Sequence, residues 1–296
     1  KGSGKNLYEN NKGFSEIIMK RTKINRLQQF RDITQFEFLK FIRGRKMKSA
    51  VVLAFLTPLL IYTLPTLTSE SLASQSSVTD FAITFVQFLS LLILISVTLF
   101  GGDALISDFQ DRTGYTLFTN PISRISLLFG KFLAASIAVT IVLGIFYIVL
   151  SALSYYFYSS LPTNILTSFI FAIIATMAFL SISFAIGSFL KGSNISYIAF
   201  FFLFFLVFPL VDYFLIVDKV KPWFSPTFAS EIILYILETP YPDDEIIRIP
   251  ALFAPGQSMS ITAFVPEINL SLGILFVYIM LGLIVSLFFF QRKEMN

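Results

Sequence analysis

No cysteine and no histidine occur among the 296 residues. Without cysteine there is no disulfide, no thiolate nucleophile and no Cys-based metal site. Without histidine there is no imidazole base, which excludes Ser-His-Asp catalysis and the HExxH metalloprotease. Charge is also scarce: Asp, Glu, Lys and Arg make up 14% of the chain, against roughly 25% in an average soluble domain. From Phe132 to Leu190 not one charged residue occurs. A proton or sodium relay built from buried carboxylates is therefore disfavoured, although carbonyls at helix ends can still hold an ion. A complete phosphate-binding loop is missing as well. Lys1-Gly2-Ser3-Gly4-Lys5 resembles the end of one, but Asn6 stands where Ser or Thr is needed and no strand or first glycine precedes it. Residues 1–23 are read as a flexible cytoplasmic tail, and the opening on Lys1 instead of Met points to residues lost or replaced upstream. A cleavable signal peptide is not expected, since the first apolar run, from Ser49, starts too far into the chain and is too long.

What the chain has is apolar length. Hydrophobic residues make up 55% of it, 36 of them Phe, and its mean hydropathy is +0.77. About 20 residues at 1.5 Å per residue cross a bilayer core, and the uncharged runs are long enough to do so. The long run around residues 130–190 splits at Leu161, Pro162, Thr163 and Asn164, where a polar turn and a proline favour a helix restart. The expected architecture is all-α and polytopic, with spans at about 49–69, 81–102, 130–158, 163–190, 193–212 and 268–290. Six is an even number, so both termini share one side.

Charge asymmetry assigns that side. The first 48 residues hold 13 Lys or Arg against four acids, and the segments that alternate with them bring the basic total to 19 of 22. The opposite segments hold Lys219, Lys221 and Arg248 against 10 acids. Under the positive-inside rule both termini are cytoplasmic in a multi-pass cell-membrane protein. Nucleic acid is not an expected partner, because the basic residues follow sidedness and gather on no reading element.

Residues 24–41 read as an amphipathic interfacial helix. Phe30 and Phe36 belong to its apolar positions, and Arg26 and Arg31 to its polar ones. Such a helix lays aromatic side chains toward acyl chains and arginines toward lipid phosphates. On the other side, the outer segment 213–267 holds an apolar stretch, Phe228 to Leu237, bounded by Pro226 and Pro240. This stretch is expected to form a short re-entrant or interfacial helix. Trp223 suits an aromatic belt, and Asp243, Asp244 and Glu245 form an acidic surface without metal-site geometry. Residues 293–296 form a short cytoplasmic tail.

The loop after the second span carries the most specific pattern. A short helical-looking segment with Asp108, Asp111 and Arg112 ends near Gly114, a C-terminal breaker. Asn120 and Pro121 then form a helix start. In Asp108, Gly114, Tyr115, Thr116, Leu117, Pro121, Ile122, Ser123, Arg124, Gly130 and Lys131 the chain resembles the permeases of the type-2 ABC transporter (ABC-2) family. It departs from that family's usual pattern in having Asp108 where Glu is commoner, and Tyr115 between the Gly and the Thr.

The resemblance, which covers essentially Leu27 to Arg292 in layout, implies a transmembrane permease subunit that is not itself an enzyme. A second permease chain, giving a homodimer, would complete the substrate pathway. Two separate ABC ATP-binding subunits would bind ATP and Mg, and no cofactor or metal is expected on this chain. The loop would seat a coupling helix in the ATP-binding subunit. Asp108, Asp111 and Arg112 would make its polar contacts, with Leu105, Phe109, Leu117 and Phe118 as apolar plugs. Gly114, Asn120, Pro121 and Arg124 would set the loop's geometry, and the interfacial helix would flank it. Membrane lipids and an unidentified substrate complete the expected partners. Two alternatives stay open: an ATPase-independent carrier or channel, and a membrane scaffold or intramembrane enzyme.

Overall fold

The computed structural model describes residues 26–67, 77–102, 104–105, 123–190, 192–250 and 258–292. Helix α1, Arg26–Arg43, precedes the six helices that, among the described residues, are long and apolar enough to cross a membrane. The first span belongs to α2, Arg45–Leu67, and is separated from α1 by Gly44 alone. The second combines α3, Val78–Val86, with α4, Leu89–Gly101. The third and fourth spans are α5, Arg124–Tyr158, and α6, Ile165–Phe189. The fifth runs from α7, Ser193–Phe202, through a π-helical turn at Leu203–Val207 into α8, Phe208–Val217. The sixth is α11, Ile268–Arg292.

Local chemistry explains the ends of several of these helices. Ser77 caps α3 by accepting from the Asp80 N–H at 3.1 Å, and Ser123 caps α5 by accepting from the Ser126 N–H at 3.0 Å. Ser159 closes α5 in the left-handed conformation, with φ 52°. The π-helical turn lies just before Pro209, which has no N–H to return to the Phe205 carbonyl four residues earlier. Widening the helix by one residue accommodates that loss.

Small and hydroxylated residues let the spans approach closely. A Cβ on Gly282 would meet Ser181 Oγ at 2.5 Å, and one on Gly101 would meet Ser183 Oγ at 2.8 Å. Ser181 donates to the Tyr278 carbonyl at 2.9 Å and Ser286 to the Phe184 carbonyl at 3.3 Å, linking the fourth and sixth spans. Between apolar helices in lipid, packing of this kind replaces the hydrophobic effect as the force for association. Phe81, Phe85, Phe100, Phe146, Phe184, Phe200 and Phe290 fill the core between these contacts.

The segment between the fifth and sixth spans contains the expected short helix in two pieces, α9, Pro226–Ser230, and α10, Ile232–Tyr235. Ser168 of the fourth span holds it down by donating to the Ile233 carbonyl at 2.7 Å, while the Tyr147 hydroxyl meets Ser168 at 2.8 Å. One element was not anticipated from the sequence. Strands β1, Glu245–Pro250, and β2, Ser258–Ala263, form an antiparallel hairpin with Glu245 opposite Ala263 and Pro250 opposite Ser258. The run Ile246, Ile247, Arg248, Ile249 has the β-branched content of a strand, and Pro250 stands at the strand's end, where a missing N–H is tolerated.

Candidate functional site

At the end of the bundle shared by Arg45 and Arg292, three basic residues each tie two elements together. Lys131 Nζ of the third span donates to Glu37 Oε1 of α1 at 2.8 Å, and both side chains are shut away, at 1% and 7% exposure. Arg124, at the start of the same span, donates to the Phe290 and Gln291 carbonyls at 3.2 and 2.6 Å. Those are last-turn carbonyls of α11, which want a cation. Lys46 of the first span donates to the Tyr197 hydroxyl of the fifth at 2.9 Å. These side chains, read in the sequence as markers of sidedness, also serve as internal cross-links.

Helix α1 lies flush on the third span because Gly130 lets it. A Cβ at that position would come within 2.8 Å of Ile33 Cγ2 and 3.4 Å of Thr34 Oγ1. The face of α1 turned to the bundle carries Ile33, Thr34, Glu37, Phe38 and Phe41. A second apolar stripe, Phe36, Leu39 and Ile42, points away from the bundle, with Phe36 67% exposed. Phe30 is half-buried and Arg31 is exposed. The adjacent Gly130 and Lys131 thus have complementary tasks: one removes the side chain that would hold α1 off, and the other supplies the charge that holds it on.

Of the residues expected to couple to a partner or to set the loop's geometry, the structure describes two, Leu105 and Arg124. Leu105 is 2% exposed and packs within the chain's own core. Arg124 is engaged with the sixth span as above. Asp108, Phe109, Asp111, Arg112, Gly114, Leu117, Phe118, Asn120 and Pro121 lie outside the described residues, as does the side chain of Arg26. The sequence reading passed over Glu37. Its signal was the spacing from Ile33 to Phe41, which puts an acid on the buried stripe of a helix facing a lysine at the edge of a long uncharged run.

Toward the other end of the bundle lies a cavity of about 510 Å³. The second span forms one wall where it is broken at Gln87 and Phe88, with Leu91 and Leu94 beyond the break. The fifth span forms another where its π-helical turn places Phe204, Phe205 and Pro209. Phe179 is the contribution of the fourth, and Thr227, Ser230, Glu231 and Tyr235 line the side made by α9 and α10. Both irregular stretches of helix therefore flank the same space. Helix breaks in membrane proteins are tolerated where they line a cavity.

Among the described residues, Glu231 is the one charged residue in this lining. Its side chain is exposed and lies on the cavity's wall. Desolvation, with the negative charge of Asp212 adding to it, pushes its carboxyl up to about 7. Asp212 stands one layer behind. Its Oδ2 accepts from the hydroxyls of Ser225 at 2.9 Å and Thr227 at 2.5 Å, while its buried Oδ1 has no hydrogen-bond partner among the described residues. Farther out, Lys221 reaches Asp244 at 3.2 Å and Glu267 at 3.7 Å, and Asp244 also accepts from the Val265 N–H at 2.6 Å. That part of the acidic surface is tied into the fold. No group of acidic residues with metal-site geometry occurs among the described residues.

Compared with known families, residues 31–295 match the one described as ABC-2 family transporter protein. No curated protein matches the chain.

Proposed function

The chain belongs to the ABC-2 transporter family, and from that premise we propose that it is the membrane-spanning subunit of an ATP-driven exporter. Membership makes it a multi-pass permease component of an ABC transporter. In the finer reading, two copies form the substrate pathway in the cell membrane, with both termini in the cytoplasm. Separate ABC subunits bind ATP and Mg and perform the hydrolysis, so this chain is not an enzyme.

The observation that carries the coupling role is the mounting of α1 on the third span through Gly130, Lys131 and Glu37. A motor outside the membrane must push on something stiff. Leu105 is fixed in the core on one side of residues 106–122, and Arg124 is tied to the sixth span on the other. A force delivered to that segment would reach the second, third and sixth spans and α1 together. The outer stripe of α1, with Phe36 and Leu39, suits contact with acyl chains.

The test is binding to, and stimulation of, the ATP-binding subunit in variants of the segment. Asp111→Lys with Arg112→Glu should weaken association by about 1–5 kcal/mol through like-charge contacts and lost hydrogen bonds. Phe109→Ala should cost on the order of 1–4 kcal/mol if that ring is an interface anchor. Membrane insertion should survive in both. Normal partner binding together with normal transport in both variants would sink the coupling role.

A further inference from the structure

We propose that the cavity between the second, fourth and fifth spans binds a lipophilic organic cation, its charge held by Glu231 and its body by the apolar walls. The charge argument comes first. Glu231 lines the cavity, Asp212 lies one hydrogen-bonded layer behind it through Thr227, and no basic residue among those described lines the space. Neither acid is matched by a cation among the described residues. Asp212 is 8% exposed and its Oδ1 has no hydrogen-bond partner among the described residues. A carboxylate as closed off as that of Asp212 is expensive unless a positive charge enters with the ligand.

The walls then decide what kind of cation it is. A hard cation such as calcium takes six to eight oxygen ligands, and this lining offers Glu231 with a few hydroxyls beside Leu91, Leu94, Phe179, Phe204 and Phe205. Those side chains replace hydrocarbon solvation, not hydration. Aromatic faces add attraction for a delocalised cation. A volume of about 510 Å³ lies within the range that takes drug-sized ligands. Fixed positions for the charge and the body give the site both ends of an amphipath. An anion of the same shape would meet Glu231, with the charge of Asp212 behind it.

That such a cation is cargo rests on the export reading; that it binds does not. The two are separated by measuring saturable binding of tetraphenylphosphonium to the full chain in nanodiscs at pH 8, with empty nanodiscs subtracted, and ATP-driven efflux from vesicles holding the chain with its ATP-binding subunits. Saturable binding is expected, and Glu231→Gln should weaken it at least tenfold, Glu231→Asp less. Ser90→Phe, which fills the cavity without touching its charge, should abolish it even if the Glu231 variants fold poorly. Tetraphenylborate, near-identical in shape and opposite in charge, should show no saturable component. Equal binding of both ions, or cation binding unchanged in both Glu231→Gln and Ser90→Phe, overturns the site. Binding without efflux supports the site and overturns its assignment as cargo, whereas efflux of another substrate with no cation binding overturns the site and leaves the export reading standing.

Discussion

Glu37 and Lys131 meet at 2.8 Å across the contact between α1 and the third span, in surroundings almost closed to water. An isolated charge in either position would be costly, so each makes the other tolerable. Lys40, half-exposed at 3.9 Å from the same carboxylate, adds a weaker contact from the helix itself. The pair fixes not only that α1 packs but where along the third span it packs.

Replacing one partner should therefore hurt more than replacing both. Lys131→Leu or Glu37→Leu alone should destabilise the protein by about 3–5 kcal/mol, because each breaks a buried ion pair from one side. The double replacement should recover most of that loss. Thermal unfolding of the four proteins in the same detergent measures it. Equal losses in the single and double variants would mean that shape, and not charge pairing, positions α1.

Gly130 predicts a steric lock of the opposite kind. Gly130→Ala places a Cβ only 2.8 Å from Ile33 Cγ2, and the β-branched Ile33 has little freedom to turn aside. Helix α1 should lift from the third span, which spin labels on the two helices would read as a longer distance. Adding Ile33→Ala should bring it back. A distance unchanged by Gly130→Ala would show that the contact has slack.

The acid in the cavity makes stability depend on pH. Glu231 holds its proton up to about 7 in the fold, above its ordinary value of 4.5. Between those values the folded chain binds more protons than the unfolded one, so stability should fall as pH rises through that window. Asp212 from the fifth span and Tyr235 on α10 are the titratable groups that act on it or feel it. Glu231→Gln should flatten this part of the profile of thermal midpoint against pH. A profile of the same slope in the variant would assign the dependence elsewhere.

Sidedness is directly testable because the chain has no cysteine of its own. Single cysteines at Lys5, Lys191 and Lys293 should react with an impermeant thiol reagent only from the cytoplasmic side of sealed membranes. Cysteines at Glu70, Asn164 and Asp244 should react only from the other. Cytoplasmic labelling at Asn164 would remove the division between the third and fourth spans.

Much of this architecture was legible residue by residue. The Pro162 turn between two long apolar runs announced a helix restart, and α6 indeed starts at Ile165. The short helix after the fifth span was visible in the apolar stretch from Phe228, although it is split at Glu231 into two pieces. Glu231 itself drew no notice, since an acid between apolar neighbours in a loop reads as a solvated residue. Only the walls brought up by Phe179 and Phe205, 52 and 26 residues away in the chain, turn it into a cavity acid. The hairpin was overlooked for a similar reason: its strands pair with each other, and Pro250 stands at a strand end.

The sequence alone determined the number of spans and their order, and its charge asymmetry supplied an expected orientation. The cost of placing a charge or an open backbone in lipid is paid locally, within each run of about 20 residues, and so is written locally. Tertiary structure decided which side chains face one another: Lys131 toward Glu37, Gly130 beneath Ile33, the break at Gln87 opposite the π-helical turn at Leu203–Val207. Those relations depend on how helices are rotated about their axes and how closely they approach. With nearly every face of a span apolar, hydropathy does not choose among rotations; close packing of small residues and a few buried polar contacts do.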